Sequence, residues 1–255
     1  MTPRIAGRLL LVPNALDLGV AGGDIRDAVP DGVLHRAAAI RHWVVEDARS
    51  ARAFLKRVGA LVPLAAPVQE LSIVTLPRPR KGERNGPDRP PWPELLAPAR
   101  QGHDLGLLSE AGLPAVADPG AELVGAAHDA GLEVQPLAGP SALLLALAAS
   151  GMDGQNFAFV GYLPQEAMAR VARLRELEAQ ARRHRQTQIF IETPYRNPAL
   201  AAAAIACLQP STRLSISCGL TLASGWTRSM SIERWRVAQL PIPDRVPAVF
   251  ALSAA

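Results

Sequence analysis

The sequence predicts an α/β fold of two lobes, the first built mainly on a parallel sheet with helices on both faces, the second on a mixed sheet with helices. Three observations predict it. Short apolar runs alternate with stretches of helical period along most of the 255 residues. From Arg213 onward the apolar runs come close together, with turn residues and no long helix between them, so part of the second lobe is expected to pair antiparallel. Hydrophobic residues make up 49% of the chain and aromatics only 4%, which excludes disorder of the whole chain and predicts a core of small aliphatic side chains.

Taken in order, Leu9 to Val12 is a buried-strand run closed by Pro13 and Asn14. Trp43 to Glu46 is a second strand. Asp47 then caps a helix through Val58, with Ala51, Phe54, Leu55 and Val58 on one stripe and Gly59 as its stop. The segment Thr75 to Leu96 is rich in Pro and Arg and has no period; it reads as a long loop, either a substrate flap or a solvated insertion. Leu105 to Leu108 is a third strand, Pro119 to Ala130 a helix, and Leu132 to Leu137 a fourth strand. Ser141 to Ser150 is a helix that is apolar nearly all round and is expected to be buried, with Gly151 ending it.

Phe157 to Val160 begins a second series of elements. Gln165 to Arg185 is a long charged helix with Val171, Leu174 and Leu177 as its apolar stripe; its Arg-rich remainder is a solvated face or an RNA contact. Gln188 to Ile191 is a strand, and Asn197 followed by Pro198 reads as a cap and first-turn proline of another helix. Arg213 to Cys218, Trp226 to Ile232 and Val246 to Leu252 are the later strands. The break between the two series, Gly139 to Asn156, divides the chain into an N-terminal lobe, residues 1–138, and a C-terminal lobe, residues 139–255.

The net charge is +4, and Lys56 and Lys81 are the only lysines, so the basic charge is almost all arginine. Arginine forks suit phosphate or carboxylate, although a general preference for Arg over Lys accounts for the same count. Cys207 and Cys218 are too few for a disulfide framework and read as small buried residues in a reducing compartment. The longest aliphatic run, Ala142 to Ala149, is far short of the roughly 20 residues a membrane span needs, and the N-terminal apolar run is too short for a signal peptide. A soluble, cytoplasmic protein without a membrane partner is expected.

The sequence holds no GxGxxG, P-loop or GxSxG motif, and its five histidines are scattered, so no metal centre is expected. What stands out are four loops at the carboxyl ends of expected strands, where open α/β sheets bind ligands. They are Pro13-Asn14, the stretch SEAGLPAVADPG from Ser109 to Gly120, PLAGPSA from Pro136 to Ala142, and FIETPYRNP from Phe190 to Pro198. Each combines Gly or Pro with small residues, so backbone can come close to a ligand. Alone, Asp118-Pro119-Gly120 and Gly139-Pro140-Ser141 read as helix starts.

In their order, SEAGLPAVADPG, PLAGPSALLLALAASG, FAFVGYLP, a charged helix and QIFIETPYRN resemble the tetrapyrrole methylase superfamily. Within it they resemble the branch of ribosomal small-subunit RNA 2′-O-ribose methyltransferases, as does VVEDARSARAFLKRVG from Val44 to Gly59. The resemblance runs from Leu9 to about Pro198. Against the branch's pattern, Glu110 and Leu113 stand where aspartate and threonine are usual, and Tyr195 replaces a histidine. The resemblance implies two α/β lobes with S-adenosylmethionine in the cleft between them, and a homodimer. Carried over position by position, it implies cofactor contacts at Pro13, Leu113, Pro114, Ala115, Val116, Ser141, Ala142, Tyr162, Leu163, Thr193 and Pro194.

Methyl transfer from a sulfonium is an in-line displacement, so alignment and exclusion of water are the protein's main tasks. A hydroxyl acceptor also needs its proton removed. The carboxylates expected at strand ends are Glu46, Asp47, Glu110, Asp118 and Glu192, of which Glu46 and Glu110 are the leading catalytic candidates. Arg49 and Arg196 are candidates to hold an acceptor phosphate, with an ion pair to a nearby carboxylate as the alternative. Three functions follow: methylation of RNA, of the ribosomal ribose type; methylation of a tetrapyrrole or other small anionic molecule; and non-catalytic S-adenosylmethionine binding.

Overall fold

The structure, a computed structural model, describes residues 6–16, 23–77, 91–238, 242–243 and 245–254. The chain divides into two compact units, Met1–Pro140 and Ser141–Ala255.

The first unit is a five-stranded sheet. Its strands are β1 (Arg8–Val12), β2 (His42–Val45), β3 (Ser72–Thr75), β4 (Leu105–Leu108) and β5 (Glu133–Pro136), in the order β3-β2-β4-β1-β5. Every pairing is parallel. Parallel pairing leaves no face for water, and successive side chains are buried on opposite faces. Leu10, Val12, Trp43, Val45 and Leu108 meet α1 (Asp31–Ala39) and α2 (Ala48–Gly59) through Leu34, Phe54, Leu55 and Val58. Leu9, Val44, Leu105 and Leu107 meet α3 (Trp92–Leu95), α4 (Ala97–Arg100) and α5 (Ala121–Asp129) through Leu96, Ala99, Leu123 and Ala127. The indole of Trp43 lies across its sheet neighbour Gly106, where an added Cβ would come within 2.6 Å of the ring.

The second unit begins with α6 (Ala142–Ser150). Its sheet contains β6 (Phe157–Tyr162), β7 (Thr187–Ile191), β8 (Arg213–Cys218), β9 (Trp226–Ser231) and β10 (Ala248–Ser253), in the order β6-β7-β10-β8-β9. β6 and β7 pair in parallel and the remaining pairs are antiparallel, the mixed sheet expected from the closely spaced late strands. On one face α7 (Ala167–His184), α8 (Asn197–Cys207) and α9 (Ile232–Val237) cover Phe190, Leu214, Ile216 and Phe250. On the other, Ala146 and Leu147 of α6 cover Ile189, Val249 and Ala251.

Several local expectations are corrected. The α6 helix is not buried all round: Leu144 and Leu145 are exposed at 53% and 40%, because only one side of the helix meets the sheet. The buried stripe of α7 runs through Leu174, Leu177, Glu178 and Ala181, with Val171 only half-buried. Asn197 does not cap α8; it is helical, fully buried, and donates from its side chain to the carbonyl of Val246. Asp118 does not cap α5 either, because Gly120, at φ 127°, stands at the cap and the helix starts at Ala121. The stretch Thr75 to Leu96 has ordered ends, Thr75 closing β3 and Trp92–Leu95 forming α3, while residues 78–90 lie outside the described residues. Among the described residues no helix is long and apolar enough to cross a membrane.

Candidate active site

The strand order places the site of the first unit. β1 and β2 connect leftward in the sheet and β3 and β4 connect rightward, and the right-handed crossover rule sends these two sets to opposite faces. The two helix layers, α1–α2 and α3–α5, are arranged in that way. β4 is therefore flanked on both sides by strands whose connections leave on the other face. By that topology its carboxyl end is where such a sheet is expected to bind a ligand.

Four segments converge on that end. Asn14 and Gly112 exchange both backbone hydrogen bonds, at 2.9 and 2.8 Å. The buried Asn14 side chain donates to the carbonyls of Glu110, at 2.8 Å, and Ser109, at 3.3 Å. Gly139 rests on Pro13 so closely that an added Cβ would lie 2.2 Å from the proline Cβ. Here the glycine lets one loop seat on another. Glu46 joins from β2: its backbone N–H donates to Leu108 at 3.0 Å, and its carboxylate accepts from the Glu110 N–H at 3.1 Å.

The loop between β4 and α5 is bent by left-handed residues that carry side chains, Ala115 at φ 65° and Ala117 at φ 62°. Such conformations cost on the order of 1 kcal/mol or more each and gather at functional sites. Asp118 follows these bends and lies within reach of the charges of Glu46 and Glu110. Burial first, then the charge of Glu46, lifts the Asp118 carboxyl to about 7; the Ser109 hydroxyl opposes the rise and Glu110 adds to it. Ser109 Oγ is buried and makes no well-formed hydrogen bond. Next to Glu46 lies a cavity of about 570 Å³ lined by Glu46, Asp47 and Thr75 and by the apolar Val74, Leu76 and Leu95.

In the second unit β6 and β7 end side by side, with Tyr162 opposite Ile191. Tyr162 and Leu163 follow one strand, and Glu192, Thr193 and Pro194 the other. Glu192 is buried, and its Oε1 accepts from the Thr193 N–H at 2.6 Å and from Arg196 at 2.8 Å. Burial pushes the Glu192 carboxyl up, but the bonds from Arg196 and Thr193 outweigh it and hold it below the usual range. The Arg196 guanidinium also lies 5.0 Å from the centre of the exposed Tyr195 ring. Ser141 precedes α6 and Ala142 opens it.

Of the residues singled out in the sequence, Pro13, Glu46, Glu110 and Leu113 to Val116 gather at the end of the first sheet. Pro13 and Pro114 are buried, whereas Glu110 and Val116 are exposed. Arg49 is exposed in the first turn of α2, beyond the Asp47 cap that accepts from the Ser50 N–H. Arg196 is engaged in the ion pair weighed as its alternative role. Three residues went unremarked or were underrated: Asn14, which ties two loops together, Ser109, and Asp118, which reads as a cap in the pattern DPG.

The model of the tetrapyrrole (corrin/porphyrin) methylases matches residues 34–224, three quarters of the chain. The chain belongs to this family. Family members similar to it include the ribosomal RNA small subunit methyltransferase I of Mesorhizobium japonicum, 40% identical over 162 residues, which are 62% of this chain and 53% of that protein. The enzyme of the same name from Pseudomonas aeruginosa is 31% identical over 193 residues, 75% of this chain and 58% of that protein. The chain thus spans little more than half the length of these relatives. Among solved structures, the methyltransferase CobJ superposes with a TM-score of 0.56 at 18% identity, covering 98% of this chain and 100% of that one. Uroporphyrin-III-C-methyltransferase from Thermus thermophilus superposes with a TM-score of 0.52, also at 18% identity, over 97% and 94% of the two chains. At this identity the superpositions establish the fold alone.

Proposed function

We propose that the protein is an S-adenosylmethionine-dependent methyltransferase acting on ribosomal RNA of the small subunit, with a ribose 2′-hydroxyl as acceptor, and that it works as a cytoplasmic homodimer. The observation that carries the reading is the similarity to relatives named as methyltransferases of small-subunit ribosomal RNA, together with the loops it falls on. When bound, S-adenosylmethionine supplies an electrophilic methyl group.

The residues fit such a ligand. A sulfonium favours carboxylates nearby, and Glu46, Glu110 and Asp118 meet at one strand end. Small side chains at Ala115 and Ala117 leave the backbone of their loop approachable, and Ser109 brings a buried hydroxyl without a well-formed bond. In the first unit, the cofactor contacts we assign are Pro13 and Leu113 to Val116; in the second, Ser141, Ala142, Tyr162, Leu163, Thr193 and Pro194. Glu46 and Glu110 are assigned to the reacting centre, and Arg49 and Arg196 to acceptor phosphates. The residues lining the cavity beside Glu46 are acidic or mostly apolar, so it suits the ribose and base of a nucleoside more than its phosphates.

The test has two arms. S-adenosylmethionine at about a hundred times its Kd is expected to stabilise the protein by about 2.7 kcal/mol, read as a rise in Tm, and a nicotinamide dinucleotide is expected to give none. Labelled methyl groups are expected in small-subunit RNA from cells lacking the protein. Absence of any Tm rise would refute the cofactor assignment. Label appearing in a tetrapyrrole acid and in no RNA fraction would refute the acceptor.

A further inference from the structure

The positive charge of the chain belongs to its second unit. Residues 141–255 hold twelve arginines, no lysine and seven carboxylates, whereas residues 1–140 hold fifteen basic residues against sixteen carboxylates. The longest basic run of the second unit is Arg182-Arg183-His184-Arg185 at the carboxyl end of α7, and all four residues are exposed. The helix's own carboxylates do not neutralise it. Glu166 caps the amino end, Glu176 pairs with Arg173 at 2.7 Å, and Glu178 is buried and accepts from the Gln209 N–H and the Thr212 hydroxyl. Asp153, whose carbonyl accepts from Thr187, has its carboxylate turned to the Gln155 N–H. Cations at a helix end often serve its last carbonyls. Here the Asn156 amide donates to the carbonyls of His184, at 2.9 Å, and Arg185, at 3.3 Å, and the Arg185 N–H donates to Ala181. Among the described residues the guanidinium groups of Arg183 and Arg185 make no hydrogen bond or ion pair.

We propose that this end of α7 is a docking surface for the phosphate backbone of the RNA substrate, at nucleotides distant from the methylated one. The inference rests on the RNA-methylation reading above. A guanidinium fork matches two oxygens of a phosphate, and each contact with a polyanion also releases a condensed counterion. The placement adds an argument from reach. α7 begins at Ala167, just after Tyr162 and Leu163, and its 18 residues run about 27 Å to the start of β7. The arginines therefore stand at the other end of the helix from Tyr162, Thr193 and Pro194. A tetrapyrrole held among the loops at the strand ends does not reach them, whereas an RNA of several nucleotides does. Flanking nucleotides bound here add the same affinity to ground state and transition state, so the cluster lowers KM and leaves kcat alone.

The test compares wild type with the triple variant Arg182→Gln, Arg183→Gln, Arg185→Gln. A control, Arg213→Gln, Arg228→Gln, Arg234→Gln, removes the same charge from β8, β9 and α9 of the same unit. Affinity for small-subunit RNA from cells lacking the protein is measured between about 50 and 200 mM salt. The α7 variant is expected to bind about tenfold or more weakly at the lower salt, and the slope of log affinity against log salt is expected to fall by about two to three. In methylation of the same RNA its KM is expected to rise by a similar factor with kcat nearly unchanged, while S-adenosylmethionine still raises its Tm. The control is expected to keep wild-type affinity and slope. If the triple variant does not fold, Arg183→Gln with Arg185→Gln decides, with a fall in slope of about two. Unchanged affinity and slope in the α7 variant overturn the proposal. So does an equal loss in the control, which would make the effect one of net charge alone. Binding of wild type to phosphatidylserine vesicles that the α7 variant loses, with RNA affinity kept, would assign the surface to a lipid and overturns it as well. Wild-type protein that transfers no methyl group to any RNA fails the functional reading, and the inference falls with it.

Discussion

Gly139→Ala is a sharp test of the loop cluster. The added Cβ would lie 2.2 Å from the Cβ of Pro13 and 2.3 Å from its Cγ, so the two loops must separate by more than about 1 Å to restore ordinary contact. Pro13 has little freedom to yield. It sits between Val12, which lies in a strand paired on both sides, and Asn14, which is bonded to Gly112, Ser109 and Glu110. Overpacking of this kind costs about 1–3 kcal/mol, which for a unit of this size is a fall in Tm of roughly 2–10 °C. Because the moved loops are those assigned to S-adenosylmethionine, affinity for it is expected to fall about tenfold or more, a loss of about 1.4 kcal/mol of ligand-induced stabilisation. The assay is a thermal melt with and without the ligand, with Gly154→Ala as control, since a Cβ there meets nothing within 4 Å. A Gly139→Ala protein that melts like wild type and keeps its full ligand shift would refute both the tight seating of the loops and their place in the site.

Asp118→Asn is expected to alter the pH dependence of stability. Below the usual carboxylate range both states hold the proton and there is no difference. Between about 3.8 and 7 the unfolded chain ionises while the native state keeps its proton, so wild-type stability falls, and above 7 the whole cost is present. The variant escapes this cost and is expected to gain stability at pH 8 relative to pH 4; urea titrations at the two pH values that show no relative gain would contradict the raised carboxyl. Asn14→Ala removes a buried donor from the carbonyls of Ser109 and Glu110, and a loss of about 1–3 kcal/mol is expected in the same titrations, with weaker S-adenosylmethionine binding; unchanged values for both would show that the amide does not hold the loops together.

Most strands were legible because they are short apolar runs closed by turn residues. β3 was not: Ser72 to Thr75 lies mostly exposed at a sheet edge, and four residues without alternation leave no periodic trace. α6 was legible as a helix but not as to what it buries, since composition alone cannot say which side meets the sheet. The site was legible as loops and less so as atoms. Asp118-Pro119-Gly120 has the residues of a helix cap, but Gly120 takes the cap position while Asp118 feels the charges of Glu46 and Glu110. Asn197 misled for a related reason, since Asn followed by Pro suits a cap, yet its side chain is drawn inward to Val246. In each case a contact far along the chain outweighed a local preference.

The two sheet orders also govern the sequence of assembly during synthesis. β1 is made first yet lies between β4 and β5, and its first partner, Leu105 against Leu9, is made nearly a hundred residues later. At roughly 5–20 residues per second the nascent chain carries that apolar strand unpaired for about 5–20 seconds. The second sheet has the opposite timing. β10 is made last and sits between β7 and β8, so the two halves of that sheet remain apart until Ala248–Ser253 arrives to join them. One unit is thus a problem of waiting and the other of closure, and shielding of the nascent chain matters most while residues 8–12 are out and residues 105–108 are not.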